Sequence, residues 1–100
     1  MSEALASAGG AIAGPVTVPI TNRRGLHARA SAKFVTVASS FDADVTVSHD
    51  GSSVTGTSIM GLMMLAAAKG STVKFVATGP DAEQMLTELE ALFAKKFDEA

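Results

Sequence analysis

Residues 16–38 read VTVPITNRRGLHARASAKFVTVA, and the hydrophobic period changes within this stretch. Residues 16–20 alternate valine or isoleucine with threonine or proline, a pattern that predicts a strand with one buried face. Pro19 cannot donate a hydrogen bond to a sheet, so this strand should lie at a sheet edge or carry a bulge. From Ala28 the apolar residues follow a helical period. Residues 22–25 therefore predict the turn between a strand and a helix.

The predicted helix has an apolar stripe of small and medium-sized residues. Its members are Ala28, Ser31, Ala32, Val35 and Ala38, with Phe34 beside them. We expect this stripe to face the core.

The rest of the chain alternates between strand and helix patterns. Residues 45–54 predict a hairpin that turns at His49-Asp50-Gly51. Ser58 precedes an apolar run, as an N-cap precedes a short and heavily buried helix. Residues 73–77 predict a strand, and residues 82–96 have the spacing of an amphipathic helix. The predicted order, β-α-β-β-α-β-α, indicates an α+β open-faced sandwich, a four-stranded antiparallel sheet with three helices on one face.

Composition limits the class of protein. The 100 residues are 47% hydrophobic and 18% charged, as expected for one compact domain. The absence of cysteine excludes disulfides and thiolate metal sites and fits a cytoplasmic location. A net charge of −2 gives no electrostatic footprint for nucleic acid or an anionic membrane. Residues 59–68, the longest strongly apolar run, are about half as long as the ~20 residues that span a bilayer.

The beginning of the chain differs in composition from the rest. Residues 1–14 are mostly alanine, glycine and serine, so they bury too little to offset the entropy of ordering. Glu3 and the lack of a large apolar run argue against a secretory signal. We expect a flexible extension over residues 1–14 and one folded domain over residues 15–100.

Charge is distributed unevenly along the chain. No acidic residue occurs between Ala4 and Phe41, and this window holds half of the basic residues: Arg23, Arg24, Arg29 and Lys33. Among the last twenty residues, six of the eight charged side chains are acidic. The chain thus has one basic neighbourhood and one acidic end.

His27 lies at the junction of the predicted turn and helix. There the free N–H groups of the first helical turn and the helix dipole favour an anion. Arg29 adds a planar set of donors suited to phosphate, and Gly25 permits the turn that exposes the ring. A neutral imidazole in this positive field suits a phosphoryl acceptor, and a simple capping histidine fits equally well. His27 and His49 are the only histidines, so we predict no metal site and no cofactor.

Two motifs resemble those of the HPr family, the histidine-containing phosphocarriers of the bacterial phosphoenolpyruvate-dependent phosphotransferase system. They are Gly25-Leu26-His27-Ala28-Arg29 before a helix, and SIMGLMML at residues 58–65. The resemblance covers about residues 15–100. It implies that His27 accepts a phosphoryl group on Nδ1 from phosphorylated enzyme I and passes it to a IIA-type protein, with Arg29 contacting the group. Such a protein is a stoichiometric carrier rather than an enzyme.

The resemblance also implies regulation and a docking face. Ser58 matches the regulatory serine phosphorylated by HPr kinase/phosphorylase, and a phosphate at a helix N-cap is physically tolerated. We expect a monomer whose partners dock on the face that carries the histidine and the second helix. On this chain that face would comprise Arg24, Leu26, Ile59, Met60, Met63 and Met64.

Some features depart from the family pattern or divide its branches. Ala30 stands where the family usually has proline, which leaves the first helical turn less constrained. Residues 20–29 and 91–99 resemble the nitrogen-related branch, NPr, whereas the Ser58 motif resembles kinase-regulated HPr. The alternative function is therefore a regulatory module of a nitrogen-related system that acts mainly by docking.

Overall fold

The computed structural model describes residues 12–99. The strands are β1 (Ile12–Pro19), β2 (Asp44–His49), β3 (Ser52–Thr55) and β4 (Thr72–Thr78). The helices are α1 (Ala28–Ala38), α2 (Ile59–Met64) and α3 (Ala82–Ala94), followed by a short C-terminal turn, Lys96–Asp98. The four strands form one antiparallel sheet in the order β1-β4-β2-β3. The predicted open-faced sandwich is confirmed.

Strand β1 lies at an edge of the sheet, as we expect from the presence of Pro19. Its pairing with β4 shifts register between Ala13 and Val16. It begins earlier than the sequence pattern indicated, because Ile12 and Ala13 continue the antiparallel pairing with β4. The boundary of the predicted extension, residues 1–14, is corrected accordingly. The remainder of that prediction, residues 1–11, lies outside the described residues.

The core contains a row of phenylalanines from different elements. The ring centroids of Phe34 on α1 and Phe75 on β4 are 5.6 Å apart, and Phe93 on α3 lies 5.3 Å from Phe75. Phe97 in the C-terminal turn extends the row, 4.7 Å from Phe93. Burial of each side chain contributes about 1.5–3 kcal/mol. The row therefore ties the C-terminal turn to α1.

The buried face of α1 differs from the predicted stripe. The buried residues of the helix are Ala30, Ser31, Phe34 and Ala38. Ala28 is exposed and Val35 is only half-buried. The helix is rotated so that Phe34, the largest apolar side chain on it, reaches the phenylalanine row, where it buries more surface than a valine can.

The prediction that α2 is heavily buried was wrong. Leu62 is its only buried residue, whereas Met60 and Met64 are 69% and 78% exposed. Ile59 and Met63 are each 40% exposed. A helix of 6 residues that contacts the core on one side buries a single position per turn. Within residues 12–99, no helix combines the length and apolar character needed to cross a bilayer.

Candidate functional site

His27 is the N-cap residue of α1, as predicted. Its backbone is extended (φ −75°, ψ −179°), and its side-chain Nδ1 accepts a hydrogen bond of 3.2 Å from the backbone N–H of Arg29. A backbone N–H can only donate, so Nδ1 carries a lone pair and the proton of the neutral ring is on Nε2. Nδ1 therefore faces the first turn of α1.

Gly25 shapes the loop that presents this ring. Its φ of +62° lies in the left-handed region that favours glycine, and a Cβ added there would lie 2.4 Å from the carbonyl oxygen of Ala67. The next N–H, that of Leu26, donates to the same carbonyl at 3.1 Å. Only glycine fits this close approach. The loop is thereby held against the segment that follows α2.

A carboxylate occupies the other side of the ring. Glu99 Oε2 lies 3.1 Å from His27 Nε2 and accepts a hydrogen bond of 3.3 Å from Asn22 Nδ2. The other oxygen, Oε1, accepts a hydrogen bond of 3.3 Å from the Arg24 backbone N–H. Burial by itself raises the pKa of the Glu99 carboxyl, but hydrogen bonds from Asn22, the Arg24 and Arg23 backbones and His27 outweigh it and hold this pKa below its usual value. Glu99 is therefore ionised at neutral pH.

The sequence patterns did not identify Glu99 as part of the site. The patterns show a basic neighbourhood and an acidic end as separate segments. The opposite charges of these segments are the only feature of the sequence that indicates a contact between them. Asn22, interpreted as a turn residue, is buried and also donates to the Gly25 carbonyl at 2.9 Å. Its amide thus joins the loop before α1 to the C-terminal carboxylate.

A depression of about 240 Å³ beside His27 collects the predicted basic neighbourhood. Its lining includes four cationic side chains, Arg23, Arg24, Arg29 and Lys33, and two carboxylates, Asp98 and Glu99. Lys33 Nζ pairs with Asp98 Oδ2 at 3.3 Å. The cations outnumber the carboxylates, so the depression favours a small anion.

Ser58 caps α2 as predicted. Its Oγ accepts a hydrogen bond of 2.9 Å from the Gly61 N–H. Four exposed apolar side chains follow it and form what we term the α2 patch: Ile59, Met60, Met63 and Met64. Leu26, also expected on the docking face, is instead only 5% exposed and belongs to the core, because the loop it lies in is held against residue Ala67.

Comparison with known proteins matches residues 16–95 to the family described as the PTS HPr component phosphorylation site. The chain belongs to the HPr family. Phosphocarrier protein HPr of Cupriavidus necator is 49% identical over 80 residues, which are 80% of this chain and 90% of that protein. Phosphocarrier protein NPr of Shewanella violacea is 41% identical over 83 residues, 83% of this chain and 91% of that one.

A solved structure, HPr-C-His from Thermoanaerobacter tengcongensis, superposes with a TM-score of 0.83 at 41% identity, covering 88% of this chain and 99% of that one. This member of the HPr family is thus a phosphocarrier protein of the phosphotransferase system. The region that matches the family includes His27, Arg29 and Ser58 but ends before Glu99. The structure therefore adds a carboxylate from outside the matched region to the site.

Proposed function

We propose that His27 is the phosphoryl acceptor of this carrier and that Nδ1 is the nucleophile. One observation carries the proposal: Nδ1 accepts from the Arg29 N–H at the start of α1, so its lone pair points to the positive end of the helix. A phosphoryl group on Nδ1 would lie beside N–H groups of the first turn that have no acceptor within the helix. Among these is the N–H of Ala30, which a proline at that position would lack.

The transfer needs no proton to leave the acceptor. The Nδ1 lone pair gives up its hydrogen bond from the Arg29 N–H and attacks the phosphorus of a phosphorylated donor, which we propose is enzyme I. The bond between phosphorus and the donor breaks, and its electron pair returns to the donor. Donation to a IIA-type protein is the same exchange in the opposite direction. The Arg29 guanidinium supplies donors to the phosphoryl oxygens in both steps.

The α2 patch offers an apolar surface on which partners could dock. The α2 patch belongs to a helix that packs against α1, and its methionines can adapt to partners of different shape. Arg24 is exposed and adds a positive charge to the depression beside His27. We propose that enzyme I and IIA-type proteins dock here in turn. The cytoplasmic location and monomeric state that we expect for the carrier stay predictions.

Labelling by enzyme I tests the acceptor. Purified protein, enzyme I and radiolabelled phosphoenolpyruvate should give an acid-labile label. Replacement His27→Asn should abolish it, and asparagine is chosen because it keeps an N-cap acceptor for α1. His49→Asn is the matched control, since His49 Nδ1 lies at the hairpin, 3.1 Å from the Thr72 carbonyl oxygen. Label that survives in His27→Asn, or disappears in His49→Asn, contradicts the proposal.

We further propose that Ser58 is the regulatory phosphorylation site. It lies directly before the α2 patch, so a phosphate on its hydroxyl would add up to about two negative charges to the docking face. An HPr kinase/phosphorylase with ATP should label the wild-type chain and not Ser58→Ala. The exposed α2 patch also favours a second function, a regulatory module acting by docking in a nitrogen-related system. Enzyme I that binds the chain without labelling it would support that function.

A further inference from the structure

We propose that Glu99 is a positioning residue for phosphoryl transfer, which keeps a proton on Nε2 of His27 both before and after the phosphoryl group is attached to Nδ1. This inference rests on the proposed acceptor function of His27. It is carried by the contact of 3.1 Å between Glu99 Oε2 and His27 Nε2, on the side of the ring away from the helix. Glu99 touches the ring and not the reacting phosphorus.

Two contacts define where the proton lies in the free carrier. The Arg29 N–H donates to Nδ1, so Nδ1 must be unprotonated, and the Glu99 carboxylate can only accept, so Nε2 must be the donor to it. The two hydrogen bonds select the same tautomer from opposite sides of the ring. They also fix the ring plane, so the lone pair of Nδ1 stays aligned with the helix.

The same arrangement has a stronger effect once the phosphoryl group is attached. Formation of the N–P bond uses the Nδ1 lone pair while Nε2 keeps its proton, so the ring becomes a cationic imidazolium. The Glu99 carboxylate compensates this charge and favours the protonated ring. When the N–P bond later breaks, its electron pair returns to Nδ1 and a neutral imidazole leaves. Without the Nε2 proton the leaving group would be an anion, which leaves far less readily.

The position of Glu99 is defined by more than its contact with His27. Asn22 Nδ2 and the Arg24 backbone N–H hold its two carboxylate oxygens. On the chain before it, Lys96, Phe97 and Asp98 all have positive φ, between 56° and 58°. Such backbone costs about 1–2 kcal/mol per residue, which the burial of Phe97 against Phe93 helps to offset.

Other charged groups surround the ring, and any test must distinguish their effects from the effect of Glu99. Arg23 and Arg24 approach from the loop before α1, Arg29 and Lys33 from α1 itself, and Asp98 from the C-terminal turn. Asp98 is a neighbouring carboxylate in the same depression, but it pairs with Lys33, so its removal would also free a cation beside the ring. Glu88 is the matched control, because it is exposed on α3 and lies outside the depression. Glu88→Gln makes the same change of side chain without touching the Nε2 contact.

The lifetime of the phosphorylated carrier tests the proposal. The full chain is phosphorylated with phosphoramidate, a small donor that acts without enzyme I, and loss of the phosphoryl group is followed at neutral pH. In Glu99→Gln we expect the half-life to lengthen about threefold, as befits one partly exposed ionic hydrogen bond. In the same variant, ring-proton NMR should show that the phosphohistidine releases its Nε2 proton at a lower pH. Glu88→Gln should match the wild type in both measurements.

Equal half-lives for Glu99→Gln and wild type overturn the proposal. An equal change in Glu88→Gln also overturns it, because it would indicate a general charge effect. The outcome is distinguishable from failure of the proposed function. If phosphoramidate reveals the Glu99 effect but enzyme I does not label the chain, the positioning role stands and the donor is wrong. If enzyme I labels the chain but the half-lives are equal, the carrier function stands and the role of Glu99 is wrong.

Discussion

Glu99 Oε2 lies 3.1 Å from His27 Nε2, although 72 positions separate the two residues in the chain. The contact joins the acidic end of the sequence to its basic neighbourhood. It also places hydrogen-bond partners on both nitrogens of the histidine ring, a backbone donor at Nδ1 and a carboxylate at Nε2. The ring is thereby oriented before any partner binds.

Acid should weaken the contribution of the Glu99 hydrogen bonds to the stability of the fold. Burial raises the pKa of the Glu99 carboxyl, but its hydrogen bonds outweigh burial and lower this pKa in the folded state. These bonds therefore stabilise the fold above about pH 4.3, the usual value for glutamate, and their contribution is lost as pH falls through the lower folded-state pKa. Urea unfolding of wild type and Glu99→Gln from pH 7 to pH 3 should show a stability difference that shrinks in acid. A difference independent of pH would contradict this.

Replacement of Gly25 should destabilise the protein and disturb the site together. In Gly25→Ala the Cβ meets both an unfavourable φ and the Ala67 carbonyl, so we expect a loss of about 3 kcal/mol or more in the free energy of unfolding. Gly51→Ala is the control, because Gly51 also has positive φ but has no atom within 4 Å of an added Cβ. It should lose only about 1 kcal/mol. Equal losses would exclude the clash as the cause.

Truncation of Phe97 should loosen the C-terminal turn. Phe97→Ala removes a buried ring at the end of the phenylalanine row and should cost about 3 kcal/mol of unfolding free energy. Phe97→Leu keeps most of the apolar volume and should cost less than half as much. Amide hydrogen exchange at Arg24 gives the local readout, since its N–H donates to Glu99. Exchange should accelerate more in the alanine variant, and unchanged exchange would show that the turn does not depend on this anchor.

Two substitutions of Ser58 separate its role as the N-cap of α2 from the effect of a negative charge at this position. Ser58→Ala removes the acceptor of the Gly61 N–H and should destabilise the protein by about 1 kcal/mol. Ser58→Asp keeps an acceptor and suits the helix N-terminus, so its stability should stay near that of the wild type. Its rate of labelling by enzyme I should nevertheless fall, because the new charge lies beside the docking face. Equal labelling rates for the aspartate and wild-type chains would argue against charge-based regulation.

The α2 patch should affect binding and not folding. Met64 is 78% exposed, so Met64→Glu should leave the free energy of unfolding within about 0.5 kcal/mol of wild type. The KM for this chain in labelling by enzyme I should rise several-fold, because a charge is placed in an apolar contact. Ile12→Glu is the control, with a side chain 67% exposed at the start of β1. A similar rise in KM for both variants would indicate that the patch has no special role.

Much of the fold was predictable because its signals are local. The alternation in β1, the position of Pro19 and the capping serine before α2 each depend on a few neighbouring residues, and each is confirmed. The burial of whole helices was less predictable. The sequence pattern predicts Phe34 beside the apolar stripe of α1, whereas Phe34 lies at the centre of the buried face of that helix. Packing of the aromatic rings decides the rotation of the helix.

The candidate site was predictable on one side of the ring only. His27 and Arg29 are close in sequence, so the helix N-terminus that connects them could be inferred from spacing. Glu99 is held at the ring by a hydrogen bond from Asn22 and by a turn in which non-glycine residues have positive φ. The composition of the chain indicates neither of these features. Contacts of this kind depend on the completed fold.

The distance along the chain between His27 and Glu99 has a consequence for folding kinetics. Strands β2, β3 and β4 and all three helices lie between them. Forming this contact early would therefore have a high entropic cost of loop closure. We expect the pair to form late, after the sheet and the phenylalanine row have assembled. A partly folded chain would then expose the histidine without its carboxylate, and the competent site would become a marker of complete folding.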